Sequence, residues 1–214
     1  MDRCCQQGQV RAERDHRYRT VLWLALLINA GMFLFEIVAG LAAGSASLQA
    51  DALDFFSDAA NYAVSLFVVG RALRHRARAS FLKGAAMGLV GLWVLGAALW
   101  HTVFRTLPHA ETMGLVGIIA LLANGVVLAM LWAYRSGDSN MRSVWICSRN
   151  DVLGNIAVLL AALGVFGTGT GWPDAIVAAT MAGLALQGAW QITRHALREL
   201  QDLRITAAAT GAKL

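Results

Sequence analysis

Five side chains that can bind a cation or a proton stand at helical spacings within two apolar stretches of this 214-residue chain. In the first stretch, Asp51, Asp54 and Asp58 follow the i, i+3, i+7 spacing of one helical face. Asp54 and Asp58 are one turn apart, about 6 Å along a helix axis. In the second stretch, Cys147 and Asp151 share a face at i, i+4. Carboxylates and thiolates are metal ligands, so the two pairs predict a cation-binding site.

The acid pair of the first stretch needs a neutralising partner. Two carboxylates one turn apart repel each other when both are ionised. No Lys or Arg occurs between Thr20 and Gly70, so the sequence leaves a bound divalent cation or protons to neutralise Asp54 and Asp58. An ionisable residue at the centre of a membrane helix costs about 2.5–3.5 kcal/mol, which makes it a functional hypothesis. Alternatively, these acids have only a structural role and hydrogen-bond a neighbouring helix. The presence of an acid-containing pair on each of two helices argues against this alternative.

The composition indicates the elements that must position these residues. Hydrophobic residues make up 57% of the chain and charged residues 14%, and the mean hydropathy is +0.55. A soluble domain carries about 25% charged residues, and a transmembrane helix needs about 20 mostly apolar ones. We therefore expect an all-α membrane protein with six transmembrane helices, near residues 20–43, 47–70, 82–104, 113–134, 144–168 and 173–192. The second and fifth of these helices carry the chemically active pairs.

The distribution of basic residues predicts the orientation. Of the 18 Lys and Arg residues, all except Arg105 fall on one side of this six-helix topology, with Lys83 counted in the segment between helices 2 and 3. The positive-inside rule makes that side cytoplasmic. We expect a cytoplasmic tail at 1–19, a transport domain at 20–193 and a short cytoplasmic tail at 194–214, all at the inner membrane of a bacterium. The pI of 9.6 reflects topology, so no nucleic-acid partner is expected.

Antiparallel placement would bring the two pairs to one depth. Helix 2 enters from outside and helix 5 from inside, so Asp58 and Asp151 would meet near the midplane, where transporters hold their ions. With Asp54 and Cys147 they make a set of three carboxylates and one thiol. Four-coordinate O/S ligation suits zinc-like ions, and the soft thiolate admits cadmium or cobalt rather than magnesium or calcium. Alternatively, Cys147 packs as a small apolar residue.

Other polar residues of the apolar segments can be explained by a structural role as well as by a functional one. Asp51 fits an interfacial residue near the N-terminus of helix 2, where the helix dipole favours negative charge. Glu36 and Asn29 fit hydrogen-bonding groups between helices. Arg149 either extends to the cytoplasmic surface or pairs with an acid, which would weaken the metal interpretation. The structural interpretation also covers three further asparagines, Asn61, Asn124 and Asn155.

The segment from Glu36 to Asp58, EIVAGLAAGSASLQADALDFFSD, resembles the helix 1–2 signature of the cation diffusion facilitator family. In that family a His or Asp, three residues and an Asp lie on helix 2, and a similar pair lies on helix 5. Asp54 and Asp58 match the first pair, and Cys147 and Asp151 match the second, with Cys in place of the usual His or Asp. The resemblance covers about residues 15–195.

The resemblance implies a homodimeric exporter that exchanges a divalent metal for protons, and the donor set favours Zn²⁺ as the main substrate, with Cd²⁺ and Co²⁺ as others. Gly84, Gly88 and Gly91 on helix 3 would permit close approach of a second copy. The metal is cargo, and no cofactor or catalytic residue is expected. Only about 20 residues follow Arg194, so we expect the family's C-terminal cytoplasmic domain to be missing. A non-transporting sensor or assembly subunit on a degenerate transporter fold is the rival interpretation.

Overall fold

The structure, a computed structural model, describes residues 2–64, 66, 73–104, 106–134 and 139–210. Within these ranges the chain is helical and has no strand, which confirms the all-α prediction. A short 3₁₀ helix, Trp132–Tyr134, follows the fourth α-helix. The six α-helices are α1 (Asp2–Ala43), α2 (Ala46–Ala63), α3 (Leu73–Val103), α4 (Ala110–Leu131), α5 (Ser139–Thr168) and α6 (Trp172–Thr210).

Five of these helices are long and apolar enough to cross a membrane, namely all except α2. The chain is a multi-pass membrane protein. The exception has 18 residues and carries Asp51, Asp54 and Asp58. Most of its residues are nevertheless buried, because α2 packs against each of the other five α-helices. The helix that carries three aspartates therefore lies at the centre of the bundle, where its neighbours shield its acids from lipid.

The terminal helices run through the predicted domain boundaries. α1 is continuous from Asp2 and α6 is continuous to Thr210, so neither helix breaks near residue 19 or residue 193. The division into two tails and a transport domain stays a prediction. The turn predicted at residues 136–140 lies largely outside the described residues.

The glycines of α3 face a helix of the same chain. A Cβ atom built on Gly91 would lie 3.1 Å from Leu186 of α6, and one built on Gly88 would lie 3.8 Å from Ala189. A Cβ on Gly84 would meet Ala189 as well. Small residues let two helices approach closely, and here they let α3 pack extensively against α6. The expectation that this stripe binds a second copy is wrong, because the stripe is already covered.

The turn between α1 and α2 has a defined geometry. Gly44 adopts φ 63°, in the left-handed region that glycine enters without steric cost. Ser45 caps α2, because its Oγ accepts a hydrogen bond of 3.1 Å from the backbone N–H of Leu48. The cap fixes where α2 begins and so which face its acids occupy.

A carboxylate from α6 completes this cap. Asp174 is 1% exposed and accepts hydrogen bonds from the hydroxyls of Ser45 (2.7 Å) and Ser47 (2.6 Å). It also accepts from the backbone N–H groups of Ala46 (2.8 Å) and Ser47 (3.1 Å). A negative charge at a helix N-terminus is favourable, so Asp174 joins the start of α6 to the start of α2.

Candidate metal-binding site

The acids of α2 and α5 meet near the centre of the bundle. The carboxyl group of Asp151 lies within hydrogen-bonding reach of both Asp54 and Asp58. Asp58 and Asp151 are each 7% exposed, and Asp54 is half-buried. The Oδ2 atom of Asp151 is buried and receives no hydrogen bond from the described residues. A proton or a cation would satisfy these facing oxygens.

The predicted fourth ligand lies one helical turn before Asp151. The backbone of Cys147 is helical within α5, but its side chain lies outside the described part of the structure. Among the side chains that are described, no group of three or more His, Cys, Asp and Glu residues forms a ready metal cage. The structure thus brings Asp54, Asp58 and Asp151 near one another, and the four-ligand site stays a prediction.

A cavity of about 290 Å³ reaches these acids between α2, α3, α5 and α6. Asp54 and Asp151 line its wall, together with Met87 and with Asn150, which is exposed. A water molecule occupies about 30 Å³ in the liquid. The cavity can therefore hold a cation with several of its waters beside the carboxylates.

Lys83 is the charged residue that sequence reasoning misplaced. α3 begins at Leu73, so Lys83 lies inside this helix rather than in the segment before it. Its ammonium donates a hydrogen bond to Oδ1 of Asn61 on α2, and the Asn61 side chain also reaches Asp58. The Lys83 charge acts on both Asp54 and Asp58. The expectation that only a bound cation or protons neutralise these acids is therefore incomplete.

A sequence signal for Lys83 did exist. Lys83 and Met87 stand at i, i+4 and share a helical face. Met87 lies beside α2, since its Sδ accepts a hydrogen bond of 3.4 Å from Ser57 Oγ. Extending helix 3 upstream through the arginine-rich segment would have placed the lysine on the same face.

A second acidic pair lies closer to the α1–α2 turn. Glu36 of α1 and Asp51 of α2 are both 0% exposed, and their carboxyl groups lie within hydrogen-bonding reach of each other. Nδ2 of Asn155 donates to both oxygens of Asp51, at 2.8 and 2.7 Å. Oδ1 of Asn155 accepts from Nδ2 of Asn124 at 2.9 Å. One hydrogen-bonded network therefore joins α2, α4 and α5, and Glu36 faces it from α1.

Two expectations change as a result. Asp51 is enclosed by the bundle rather than interfacial, because five helices surround α2. Glu36 was expected to hydrogen-bond a neighbouring helix. Both of its carboxyl oxygens are buried, but no described residue donates a hydrogen bond to them. Ionised carboxylates only accept hydrogen bonds, so the contact with Asp51 gives Glu36 no donor unless one of the two acids is protonated.

The remaining polar residues have structural roles. Nδ2 of Asn29 donates to the carbonyl of Ala25 within α1 at 2.8 Å. Arg149 is exposed, and its guanidinium donates to Oδ1 of Asn150 at 3.4 Å. The exposed position favours the interpretation in which Arg149 extends to the surface.

Comparison with known proteins gives a consistent result. Residues 22–201 match the family model "Cation efflux transmembrane domain". The chain is 27% identical over 204 residues to "Zinc transporter ZitB" of Escherichia coli (strain K12), covering 88% of this chain and 64% of that protein. It is 28% identical over 197 residues to "Zinc transporter ZitB" of Pectobacterium atrosepticum, covering 85% of this chain and 61% of that protein. The chain thus spans less than two thirds of these relatives.

Proposed function

The chain belongs to the cation efflux family, and we propose that it exports divalent metal cations from the cytoplasm, with Zn²⁺ as the main substrate. The observation that carries the proposal is the meeting of Asp151 with Asp54 and Asp58 beside a cavity that can hold a hydrated ion. All three acids lie within the matched residues. The zinc transporters to which the chain is similar support the choice of substrate.

Transport would follow alternating access. The metal enters from the cytoplasm and binds Asp54, Asp58, Cys147 and Asp151. Metal ligands must be deprotonated, so binding releases protons. After the site opens outward, incoming protons displace the metal, and the exporter works as a proton antiporter. The thiolate of Cys147 would extend the substrate range to Cd²⁺ and Co²⁺.

The proposed topology has six spans, with both termini in the cytoplasm and the protein in the inner membrane of a bacterium. The 18 residues of α2 rise about 27 Å, close to the thickness of a bilayer core, about 30 Å. Cysteines introduced at Pro108 and Gly169 should react with an impermeant thiol reagent from outside, whereas one at Gly137 should not. Outside labelling at Gly137 would contradict this topology.

The assembly is proposed to be a homodimer, as the family resemblance implies. The glycine stripe of α3 no longer supports it, since α6 covers that stripe. The mass of the purified chain in nanodiscs tests the assembly directly. A monomeric mass there and in mild detergent would remove the homodimer from the proposal.

A non-transporting sensor or assembly subunit remains the second candidate. The position of Lys83 favours it, because a built-in ammonium partly neutralises Asp54 and Asp58 without metal. Zn²⁺ flux into proteoliposomes made with purified protein separates the two functions. Flux that Asp58→Ala abolishes supports the exporter. Folded wild-type protein that binds Zn²⁺ but moves none supports the sensor.

A further inference from the structure

We propose that Glu36 and Asp51 form a proton-binding site separate from the metal site. In this site Glu36 is protonated, and its carboxyl O–H donates a hydrogen bond to the ionised carboxylate of Asp51. The inference deepens the proposed antiport, because it places an exchanged proton on residues that do not bind the metal. Its direct readout, the protonation of Glu36, does not depend on transport.

The first argument is the lack of any other donor. Both residues are fully buried with their carboxyl groups in reach of each other, and Glu36 accepts no hydrogen bond from the described residues. The charges that act on Glu36 are those of Asp51 and Asp54, both acidic. Lys83 acts instead on Asp54 and Asp58. Two buried carboxylates in contact cannot both stay ionised without a counter-charge, so one proton must bind the pair.

The asparagines decide which acid carries the proton. Oδ1 of Asn155 is occupied by the donor of Asn124, which turns Nδ2 of Asn155 toward Asp51. Nδ2 then donates to both oxygens of Asp51 and stabilises the ionised form of that acid. Asp51 is therefore the acceptor of the pair, and Glu36 is the member that holds the proton.

A metal ion does not fit this pair. Zinc sites in proteins are built from four ligands, or from three and a water. Here two carboxyl groups face each other, and the amide oxygen of Asn155 already accepts a hydrogen bond. The 290 Å³ cavity is lined by Asp54 and Asp151, while Glu36 and Asp51 are not among the residues that bound it. A proton needs neither additional ligands nor space for hydration.

The position of the pair suits a relay to the metal site. Asp51 and Asp58 are separated by about 10 Å along α2, with Asp54 between them. The charge of Asp54 acts on Glu36, and Asp54 is also influenced by Asp51 and Asp58. In the proposed topology the α1–α2 turn faces outward, so a proton arriving from outside would reach Glu36 before it reaches Asp54.

The test uses Glu36→Gln in the full chain, since an amide keeps the shape of the protonated acid and donates to Asp51. Infrared difference spectra of the purified protein report the C=O stretch of protonated carboxylic acids. The intensity of this band should be lower in the variant than in the wild type by the contribution of one carboxyl group. Zn²⁺ binding should stay within about twofold, while the ratio of protons to Zn²⁺ in proteoliposomes should fall. Glu111→Gln, at the exposed start of α4, is the matched control and should change neither.

A second variant guards against misfolding of the first. Asp51→Asn removes the ionised partner but leaves an amide oxygen that can accept from Glu36, so the buried Glu36 should keep its proton and the infrared band should remain. A folded Glu36→Gln protein that keeps the full band, or a folded Asp51→Asn protein that loses one carboxyl from it, overturns the proposal. If the wild-type chain moves no metal but the band is lost in Glu36→Gln and kept in Asp51→Asn, the proton site stands and the antiport function fails. An unchanged proton ratio in actively transporting Glu36→Gln overturns its role as a relay.

Discussion

Two regions of the molecule bury carboxylates in opposite ways. Asp174, where α6 meets α2, accepts hydrogen bonds from two hydroxyls and two backbone N–H groups. In the centre of the bundle, Oδ2 of Asp151 and both oxygens of Glu36 are buried but accept nothing from the described residues. All three side chains are less than a tenth exposed. Burial alone therefore does not distinguish them; the presence of donors does.

The difference separates a structural role from a functional one. A buried charge that is fully hydrogen-bonded holds its neighbours in place, whereas an unsatisfied one lowers stability. Local rules are broken mainly at functional sites. The cap around Asp174 fixes where α2 begins, and the acids farther along the helix keep lone pairs available for a metal ion or a proton.

The largest expected effect comes from Asp58→Ala. This change removes a carboxylate proposed to bind every transported metal, so Zn²⁺, Cd²⁺ and Co²⁺ flux into proteoliposomes should fall to the level of protein-free vesicles. The thermal midpoint should change little, because the lost contacts of Asp58 with Asn61 and Asp151 are offset by relief of the repulsion among the facing acids. Metal flux in Asp58→Ala clearly above that of empty vesicles would contradict the metal site.

Asp174→Ala should show the converse behaviour. The change removes the acceptor of four hydrogen bonds, and each donor left buried and unsatisfied costs about 1–3 kcal/mol. Since the serine hydroxyls can turn to other acceptors, we expect a total loss of about 2–4 kcal/mol. A lower thermal midpoint in detergent would show it, while the folded fraction keeps its Zn²⁺ affinity. If Asp174→Ala instead weakened Zn²⁺ binding without lowering stability, Asp174 would not have the structural role that distinguishes it from the central acids.

Cys147→Asp tests the predicted fourth metal ligand, whose side chain lies outside the described part of the structure. A carboxylate keeps four ligands but hardens the site, and hard ligands favour hard ions. Cadmium transport should fall relative to zinc, by about tenfold on the scale of one lost soft contact. Competition between the two ions in the same vesicles measures the ratio. If Cys147→Ala transports both metals with unchanged apparent affinity, the sulfur is not a ligand.

Lys83→Met tests the built-in counter-charge. The ammonium opposes a cation at Asp54 and Asp58, so its removal should tighten Zn²⁺ binding by roughly threefold to tenfold, the effect of about 1 kcal/mol. Titration calorimetry of the purified variant gives the affinity. Arg149→Met is the matched control, because Arg149 is exposed at the surface. Weaker binding in Lys83→Met would mean that the lysine holds the acids in position.

The smallest expected effect is that of Asp151→Asn on stability. The amide can donate to Asp54 or Asp58, which replaces a repulsion with a hydrogen bond worth about 1 kcal/mol. The thermal midpoint should rise slightly while metal flux is lost. Thermal denaturation of this variant beside Asp174→Asn should give shifts of opposite sign. Equal losses of stability would show that both acids have the same structural role.

The sequence determined the elements and the residues of the proposed site. Apolar blocks of about 20 residues predict helices that suit a bilayer. The residues that the structure describes form six α-helices, five of which are apolar enough to span it. The i, i+4 spacing identified the pairs Asp54/Asp58 and Cys147/Asp151, and the segment from Glu36 to Asp58 indicated the family. These features are local, because the backbone geometry of a single helix sets which side chains share a face.

Only the tertiary structure decided which faces meet. It placed Lys83 beside Asn61, turned Glu36 toward Asp51, and directed the α3 glycines at α6. It also brought Asp174 to the start of α2. Helical periodicity gives the direction of a side chain around its own axis but not the neighbour in that direction, which depends on how all six helices pack. Residues distant in sequence therefore acquire their charge partners only when the bundle is assembled.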